Sequence, residues 1–288
     1  MQRQERLRSV SNLVLSASLL VIVPLAGARS LRVPGVHKVV GIVVFSALAF
    51  CAWALSRPPS APISDTALLA RVAGSLFLTP FALVALLWVG LGTPWDSSTI
   101  ENRMRYAVLV GASVAVTAAF VVAKESLSRP SNTLLPSLAL ALGTLSGAGY
   151  LVWSSFYLGA FASQVSSGNL PVGVPPIMNI LDVLLFVSSA LAYCATAALA
   201  CGLRKIDWLG PGPARAFTVL SAVAFTFLML RGLSFPSPDQ SPLPWFARPD
   251  FIVGIPAVPW VMPYLLGIVL LRRAGQPRVA SDHPRSGA

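Results

Sequence analysis

The chain is poor in charge, histidine and cysteine, and each shortage excludes a class of function. Charged residues make up 11% of its 288 residues, against about a quarter in soluble domains, while hydrophobic residues make up 55% and mean hydropathy is +0.74. The two histidines, His37 and His283, lie outside the middle of every apolar stretch, which excludes a haem held by two facing histidines. The three cysteines all lie within apolar stretches, as small packing residues commonly do, and indicate no disulfide framework.

The sequence also lacks the motifs by which common enzymes hold a metal, a phosphate or a nucleophile. It contains no H-E-x-x-H pair, no D-x-x-x-D pair and no phosphate-binding glycine loop followed by lysine. Ser113 in Gly111-Ala112-Ser113 resembles the start of a serine-nucleophile motif, but no histidine base lies in any apolar stretch. We therefore expect no cofactor and no metal, and an enzyme is the least favoured class of function.

Eight apolar stretches predict an all-α fold, a polytopic transmembrane helix bundle of about eight spans. A helix that crosses a bilayer needs about 20 mostly apolar residues, and lipid cannot satisfy the polar groups of a bare backbone. Residues 1–273 are expected to form a single transmembrane domain, and residues 274–288 a disordered cytoplasmic tail. The predicted spans are Ser11–Ala26, Val39–Leu55, Ala67–Leu91, Tyr106–Ala123, Leu134–Ser163, Ile177–Leu203, Ala214–Leu233 and Phe251–Leu271.

The net charge of +11 is distributed as a topology signal. With the N-terminus inside, 14 of the 21 lysines and arginines fall in inside segments and 7 in outside segments, as the positive-inside rule requires. No loop carries a basic stripe interleaved with aromatic residues, so we expect the lipid bilayer rather than nucleic acid as a partner. The excess of arginine over lysine and the abundant alanine suggest a bacterial inner membrane.

The first span has an alternative interpretation as a cleaved signal peptide. Three arginines precede the short apolar core Leu13–Val23, Pro24 breaks it, and Ala26-Gly27-Ala28 fits the small-x-small cleavage pattern. An uncleaved anchor is favoured because later spans already insert the chain and Arg29 directly follows the site. Cleavage would leave seven spans, and every later loop would stay on the same side of the membrane.

Asp182 is the only acidic residue well inside a predicted span, where a carboxylate is expensive. At 100° per residue it shares one stripe of the sixth helix with four other polar residues. The alternatives are a polar pathway, or a carboxylate that caps or pairs near the headgroups beside hydroxyls that join helices. The members of this stripe are Asn179, Asp182, Ser189, Tyr193 and Thr196.

Two further features are expected near the outer end of this stripe. Arg231 in the seventh span lies on the same membrane side as Asp182 and either pairs with it or extends to the headgroups alone. Pro256, Pro259 and Pro263 remove hydrogen bonds from the eighth span, so its outer half should be kinked and bent toward the sixth helix. The candidate ligand-binding residues are Asn179, Asp182, Tyr193, Arg231 and Trp260.

The long fifth span carries a stripe of small and aromatic residues. Gly143 and Gly147 permit close approach of another helix, and Tyr150 and Tyr157 continue the same face. A packing seam is favoured there over the wall of a cavity.

Two functions therefore remain open from the sequence. One is a carrier or channel-like protein with a polar site near the outer face. The other is a non-catalytic membrane subunit or scaffold that packs on a partner protein through its small-residue faces.

Both termini are predicted to be cytoplasmic because of the charge asymmetry. A reporter enzyme that functions only in the cytoplasm should be active when it is fused to Ala288. A reporter enzyme that functions only after export should be inactive at the same position. The opposite pattern would contradict the topology.

Overall fold

The computed structural model describes residues 2–27, 34–57, 64–92, 97–128, 133–170, 173–233 and 258–276. All regular structure in these ranges is helical, which confirms the all-α prediction. A 3-10 turn, Val258–Trp260, precedes the last helix. The α-helices are α1 Gln2–Gly27, α2 Pro34–Ser56, α3 Asp65–Leu91, α4 Thr99–Leu127, α5 Leu134–Ser167, α6 Val174–Lys205, α7 Pro211–Leu233 and α8 Val261–Ala274.

Six of the described helices, α2 to α7, contain stretches that are long and apolar enough to cross a bilayer. The chain therefore has the architecture of a multi-pass membrane protein. The count of eight spans stays a prediction, because α1 is not among these six and α8 is described over only 14 residues. The predicted start of the eighth span, residues 251–257, and the predicted tail after residue 276 lie outside the described residues.

The helices α1 to α7 pack in chain order, each against the next, and α8 returns to the centre of the bundle. Its main neighbour is α3, and it also contacts α1, α2 and α6. Tyr264, Leu266, Leu270 and Leu271 of α8 are fully buried. Among the described helices, α8 is therefore a buried element enclosed mainly by α3 and, to a smaller extent, by α1, α2 and α6.

Two glycines bring the backbones of α3 and α8 into direct contact. A Cβ atom on Gly267 would lie 2.8 Å from the carbonyl oxygen of Gly74, and a Cβ on Gly74 would lie 2.9 Å from the carbonyl oxygen of Gly267. Real Cβ atoms are not found at such distances from a backbone oxygen. Only glycine fits at this crossing, as in other close helix pairs in membranes.

The small-residue stripe on α5 forms the close packing that its sequence predicts. A Cβ on Gly143 would overlap the ring of Phe120, and one on Gly147 would overlap the side chain of Thr117, both in α4. A Cβ on Gly149 would likewise overlap the side chain of Ser188 in α6. The α5 helix is thus held tightly between α4 and α6.

Arginine side chains donate hydrogen bonds to backbone carbonyls at the end of the bundle where α2, α6 and α8 finish. We call this the basic end of the bundle. Arg8 of α1 donates to the carbonyl oxygens of Arg57, at 2.8 Å, and of Gly275. Arg273 donates to the carbonyl oxygens of Asp207, at 2.8 Å, and Trp208, at 3.1 Å. Carbonyls at helix C-termini lack partners within the helix and carry partial negative charge, so these guanidinium groups stabilise three helix ends.

At the opposite end, α4 begins seven residues before its predicted start at Tyr106. Ser98 and Glu101 form a capping box, in which the Ser98 hydroxyl accepts from the Glu101 N–H at 3.3 Å and Glu101 accepts from the Ser98 N–H at 3.1 Å. Arg105, which the sequence places in an outer loop, is fully buried and donates to the carbonyl oxygen of Gly92 at 2.6 Å. It thereby caps the C-terminus of α3.

Replacing Gly267 by alanine is predicted to destabilise the bundle by about 1–3 kcal/mol, because the new methyl meets a backbone oxygen that cannot rotate away. The matched control is Gly111→Ala on α4, where nothing lies within 4 Å of the added methyl group. That control should be neutral or slightly stabilising, since alanine favours helix over glycine. Unfolding of purified protein by sodium dodecyl sulfate measures both, and equal effects would contradict the close crossing.

Candidate functional site

Asp182 is held by two aromatic donors from the neighbouring helix α5. The indole Nε1–H of Trp153 donates to Oδ1 of Asp182 at 3.0 Å, and the hydroxyl of Tyr157 donates to the same oxygen at 2.9 Å. Trp153 and Tyr157 are four residues apart on one face of α5, which places both donors opposite one residue of antiparallel α6. Hydrogen bonds to a charged group are worth about 1.5–3 kcal/mol each, so the carboxylate has one fixed position.

The depth of Asp182 in the bundle follows from the length of α6. It lies 23 residues before Lys205, the last residue of the helix, which is about 34 Å along the axis. The hydrocarbon core of a bilayer is about 30 Å thick. Asp182 therefore lies near the edge of a core of that thickness, at the end of the bundle opposite Lys205, where a carboxylate is less costly than at the centre.

An aromatic cluster surrounds the two donors. We call Tyr106, Trp153, Tyr157 and Phe161 the outer aromatic cluster. Tyr106 of α4 stacks on Tyr157 at a centroid distance of 4.9 Å and on Phe161 at 5.4 Å, and it meets the edge of Trp153 at 5.4 Å. These contacts bury the donors and fix their orientation toward Asp182.

The second carboxylate oxygen of Asp182 is the open part of this arrangement. Both of the hydrogen bonds that the described residues make to Asp182 end on Oδ1. The side chain is only half-buried, unlike Trp153 and Tyr157 beside it. An ionised carboxylate accepts hydrogen bonds at both oxygens, so Oδ2 can accept from a ligand or from water.

A second polar layer lies deeper between the same helices. The hydroxyls of Tyr150 and Ser189 are 2.8 Å apart, and Tyr150 is the donor because Ser189 already donates to the carbonyl oxygen of Leu185. The ring of Trp260, which directly precedes α8, lies 5.0 Å from that of Tyr150. Ser189 lies seven residues along α6 from Asp182, which is about 10 Å.

Two hydrogen-bonding groups in this layer have no partner within the part of the chain that the structure describes. They are the Tyr193 hydroxyl and the Trp260 Nε1–H, both on side chains that are 1% exposed. An unsatisfied buried polar group costs about 1–3 kcal/mol. Water or a bound molecule at this depth would remove that cost.

The structure brings together part of the set that the sequence predicts. Asp182 and Tyr193 both face the bundle from α6, and Trp260 lies in the core beside Tyr150. The side chains of Asn179 and Arg231 lie outside the described residues, so the pairing of Asp182 with Arg231 stays a prediction.

The eighth helix contacts α6 in the part that the structure describes. The 3-10 turn before α8 contacts α6, and Met262 packs with Tyr193. The predicted position of the outer half of this span beside Asp182 stays a prediction, because residues 251–257 lie outside the described residues. The turn itself confirms that the proline-rich segment is partly non-α where it is described.

Trp153 and Tyr157 are the site residues that sequence reasoning missed. Tyr157 is part of the predicted packing stripe on α5, but nothing in the pattern assigns it a hydrogen bond. The available signal is their spacing of four residues, together with the short connection that makes α5 and α6 antiparallel neighbours. Within the described ranges, no three histidine, cysteine or acidic side chains are grouped as a metal site would require.

Comparison of the chain with protein-family models, curated proteins and solved structures finds no match. The function therefore has to be argued from the site itself.

Tyr157→Phe is predicted to destabilise the protein by about 1–3 kcal/mol, because it removes a donor from a carboxylate that is half-buried. In an Asp182→Ala background the same change should have little effect, since the acceptor is already absent. Unfolding by sodium dodecyl sulfate gives the four free energies of this double-mutant cycle. Additive effects would show that the two side chains do not interact.

Proposed function

We propose that the protein is a carrier or channel-like membrane protein that binds an organic ammonium ion at Asp182 from the outer side. The observation that carries this proposal is the arrangement of the carboxylate. Oδ1 is held by Trp153 and Tyr157, and Oδ2 accepts no hydrogen bond from the described residues.

A purely structural role accounts poorly for an ionisable side chain at this position. The same two helices are also joined by neutral groups, with Ser146 donating to the carbonyl oxygen of Ser188 at 2.7 Å and Tyr150 bonded to Ser189. Neutral hydroxyls therefore suffice to hold α5 against α6. Ionisable residues within membrane spans are more often part of a substrate or ion path.

The chemistry around Asp182 favours an ammonium ion over other ligands. A carboxylate attracts a cation, and an ammonium N–H can donate to the open Oδ2. The faces of tryptophan and tyrosine rings add attraction for organic cations, worth about 0.5–2 kcal/mol each. Two rings of the outer aromatic cluster, Trp153 and Tyr157, are anchored to the carboxylate by their N–H and O–H groups and so lie beside it.

The deeper polar layer supports passage rather than binding alone. Tyr193 lies 12 residues before Lys205, about 18 Å along α6 and so near the middle of the membrane. Its hydroxyl and the indole N–H of Trp260 are available to water or to a ligand at that depth. They would form the next polar position inward from Asp182.

Saturable binding of radiolabelled methylammonium to the purified full chain tests the proposal. Wild-type protein is expected to bind it, and Asp182→Asn should weaken binding by about tenfold or more, because the attracting charge is lost while the shape is kept. Trp153→Phe should weaken binding less, since it removes one donor and leaves the carboxylate.

The matched control is Glu125→Gln, which removes an exposed acidic group at the basic end of the bundle, beside Lys124. It should bind methylammonium as wild type does. Absence of binding by folded wild-type protein, or equal loss in both variants, would contradict a cation site at Asp182.

A non-catalytic membrane subunit is the second candidate, and α7 is the observation that favours it. This helix has its main contact with α6 alone and directs Val219, Leu220 and Val223 outward. A photo-crosslinking amino acid at Leu220 should give one discrete protein adduct in native membranes if a partner packs there. Lipid adducts alone would remove this candidate.

A further inference from the structure

An open groove of about 260 Å³ lies between α2 and α3, on the side of the bundle away from the outer aromatic cluster. Its wall on α2 follows one helix face, with positions three, four and seven residues apart, and its wall on α3 does the same. Phe45, Leu48, Ala52 and Ser56 line it from α2, and Arg71 and Leu78 line it from α3.

The antiparallel register of the two helices gives the groove a polar end and an apolar end. Ser56 of α2 and Arg71 of α3 line one end, while Phe45 of α2 and Ala82 of α3 line the other. Ser56 lies 11 positions after Phe45, a separation of about 16 Å, which is close to half of a hydrocarbon core of about 30 Å. The groove therefore has the length of one lipid leaflet.

The polar end carries positive charge that the described residues do not neutralise. Arg71 is only partly buried and has no hydrogen bond or ion pair within the described ranges. The Arg57 guanidinium lies 5.0 Å from the ring of Trp53 at the same end. The described residues that line the groove include no acid, and Asp65, six residues before Arg71, projects about 120° away from it around α3.

We propose that this groove binds a phospholipid with an anionic headgroup from the leaflet at the basic end of the bundle. Its phosphate would lie at Arg71, and one acyl chain would follow the apolar wall formed by Leu48, Leu78 and Ala82. Trp53 is 46% exposed and lies at the level of the headgroup boundary, which is the usual position of tryptophan in membrane proteins.

The match between groove and lipid has two independent parts. The positive end suits an anionic headgroup, since basic pockets between helices on the cytoplasmic side bind such lipids. The apolar length suits an acyl chain within one leaflet. A soluble anion would satisfy Arg71 but would leave the apolar wall unoccupied.

Native mass spectrometry of the full chain, mixed with phosphatidylglycerol or with phosphatidylcholine of the same acyl chains, tests the proposal. Wild-type protein should retain phosphatidylglycerol more strongly. Arg71→Gln should reduce that preference by about fivefold, the effect expected for one cation near a lipid surface.

Two further variants separate the headgroup contact from the acyl contact. Ala52→Trp fills the groove without changing charge and should reduce retention of phosphatidylglycerol, while Arg215→Gln, at an exposed position on α7, should leave it unchanged. Equal retention of both lipids by wild type, or an unchanged preference in Arg71→Gln, would overturn the proposal. Full retention in folded Ala52→Trp would do the same.

Discussion

The contact between Gly74 and Gly267 is the constraint on which the rest of the bundle depends. It lets α8 lie against the backbone of α3, so that α8 is buried among α1, α2, α3 and α6. Because α8 occupies that place, Tyr264 is buried where its hydroxyl donates to the carbonyl oxygen of Leu15 in α1 at 2.9 Å. The hydrogen bonds of Arg8 and Arg273 then hold the basic end of α8 against α2 and the end of α6.

The position of α8 also sets the depth of the inner polar layer. Trp260 directly precedes α8, and the ring lies against Tyr150 of α5 beside the Ser189 contact. Among the described residues, the outer layer at Asp182 is instead built by α4, α5 and α6. The two polar layers, about 10 Å apart, share α5 and α6, and the inner layer also includes the turn before α8.

Sequence reasoning could predict the helices, because apolar length and the backbone's need for hydrogen bonds leave few alternatives in lipid. It also singled out Asp182, since a carboxylate in an apolar stretch is costly wherever it packs. It could not supply the partners of Asp182. Helical periodicity fixes which face a residue occupies, but not which helix meets that face. Arg231 is therefore a candidate partner only as a complementary charge on the next helix, and its extension to the headgroups alone is equally compatible with the sequence.

The same limit explains two other features. Gly74 and Gly267 are single glycines in separate helices, so no repeated spacing marks them as a contact, whereas Gly143 and Gly147 carry the familiar spacing and were predicted. The predicted spans leave Arg105 in a loop, because the apolar pattern begins only at Tyr106. The capping box at Ser98 extends α4 beyond that pattern, and the burial of Arg105 depends on this extension. In each case the missing information is a contact between segments distant in sequence or a local cap that shifts a helix boundary.

The proposed function requires position 182 to be open to the outer aqueous phase, on the side opposite to the basic end of the bundle. The most direct measurement is thiol labelling of Asp182→Cys in intact membranes, in a background where Cys51, Cys194 and Cys201 are replaced by alanine. A membrane-impermeant, positively charged thiol reagent is expected to label this cysteine from the outer side. The same reagent should label Tyr193→Cys, deeper on the same helix, far more slowly. Failure to label Asp182→Cys from that side, while it reacts readily in detergent, would contradict an open position at Asp182.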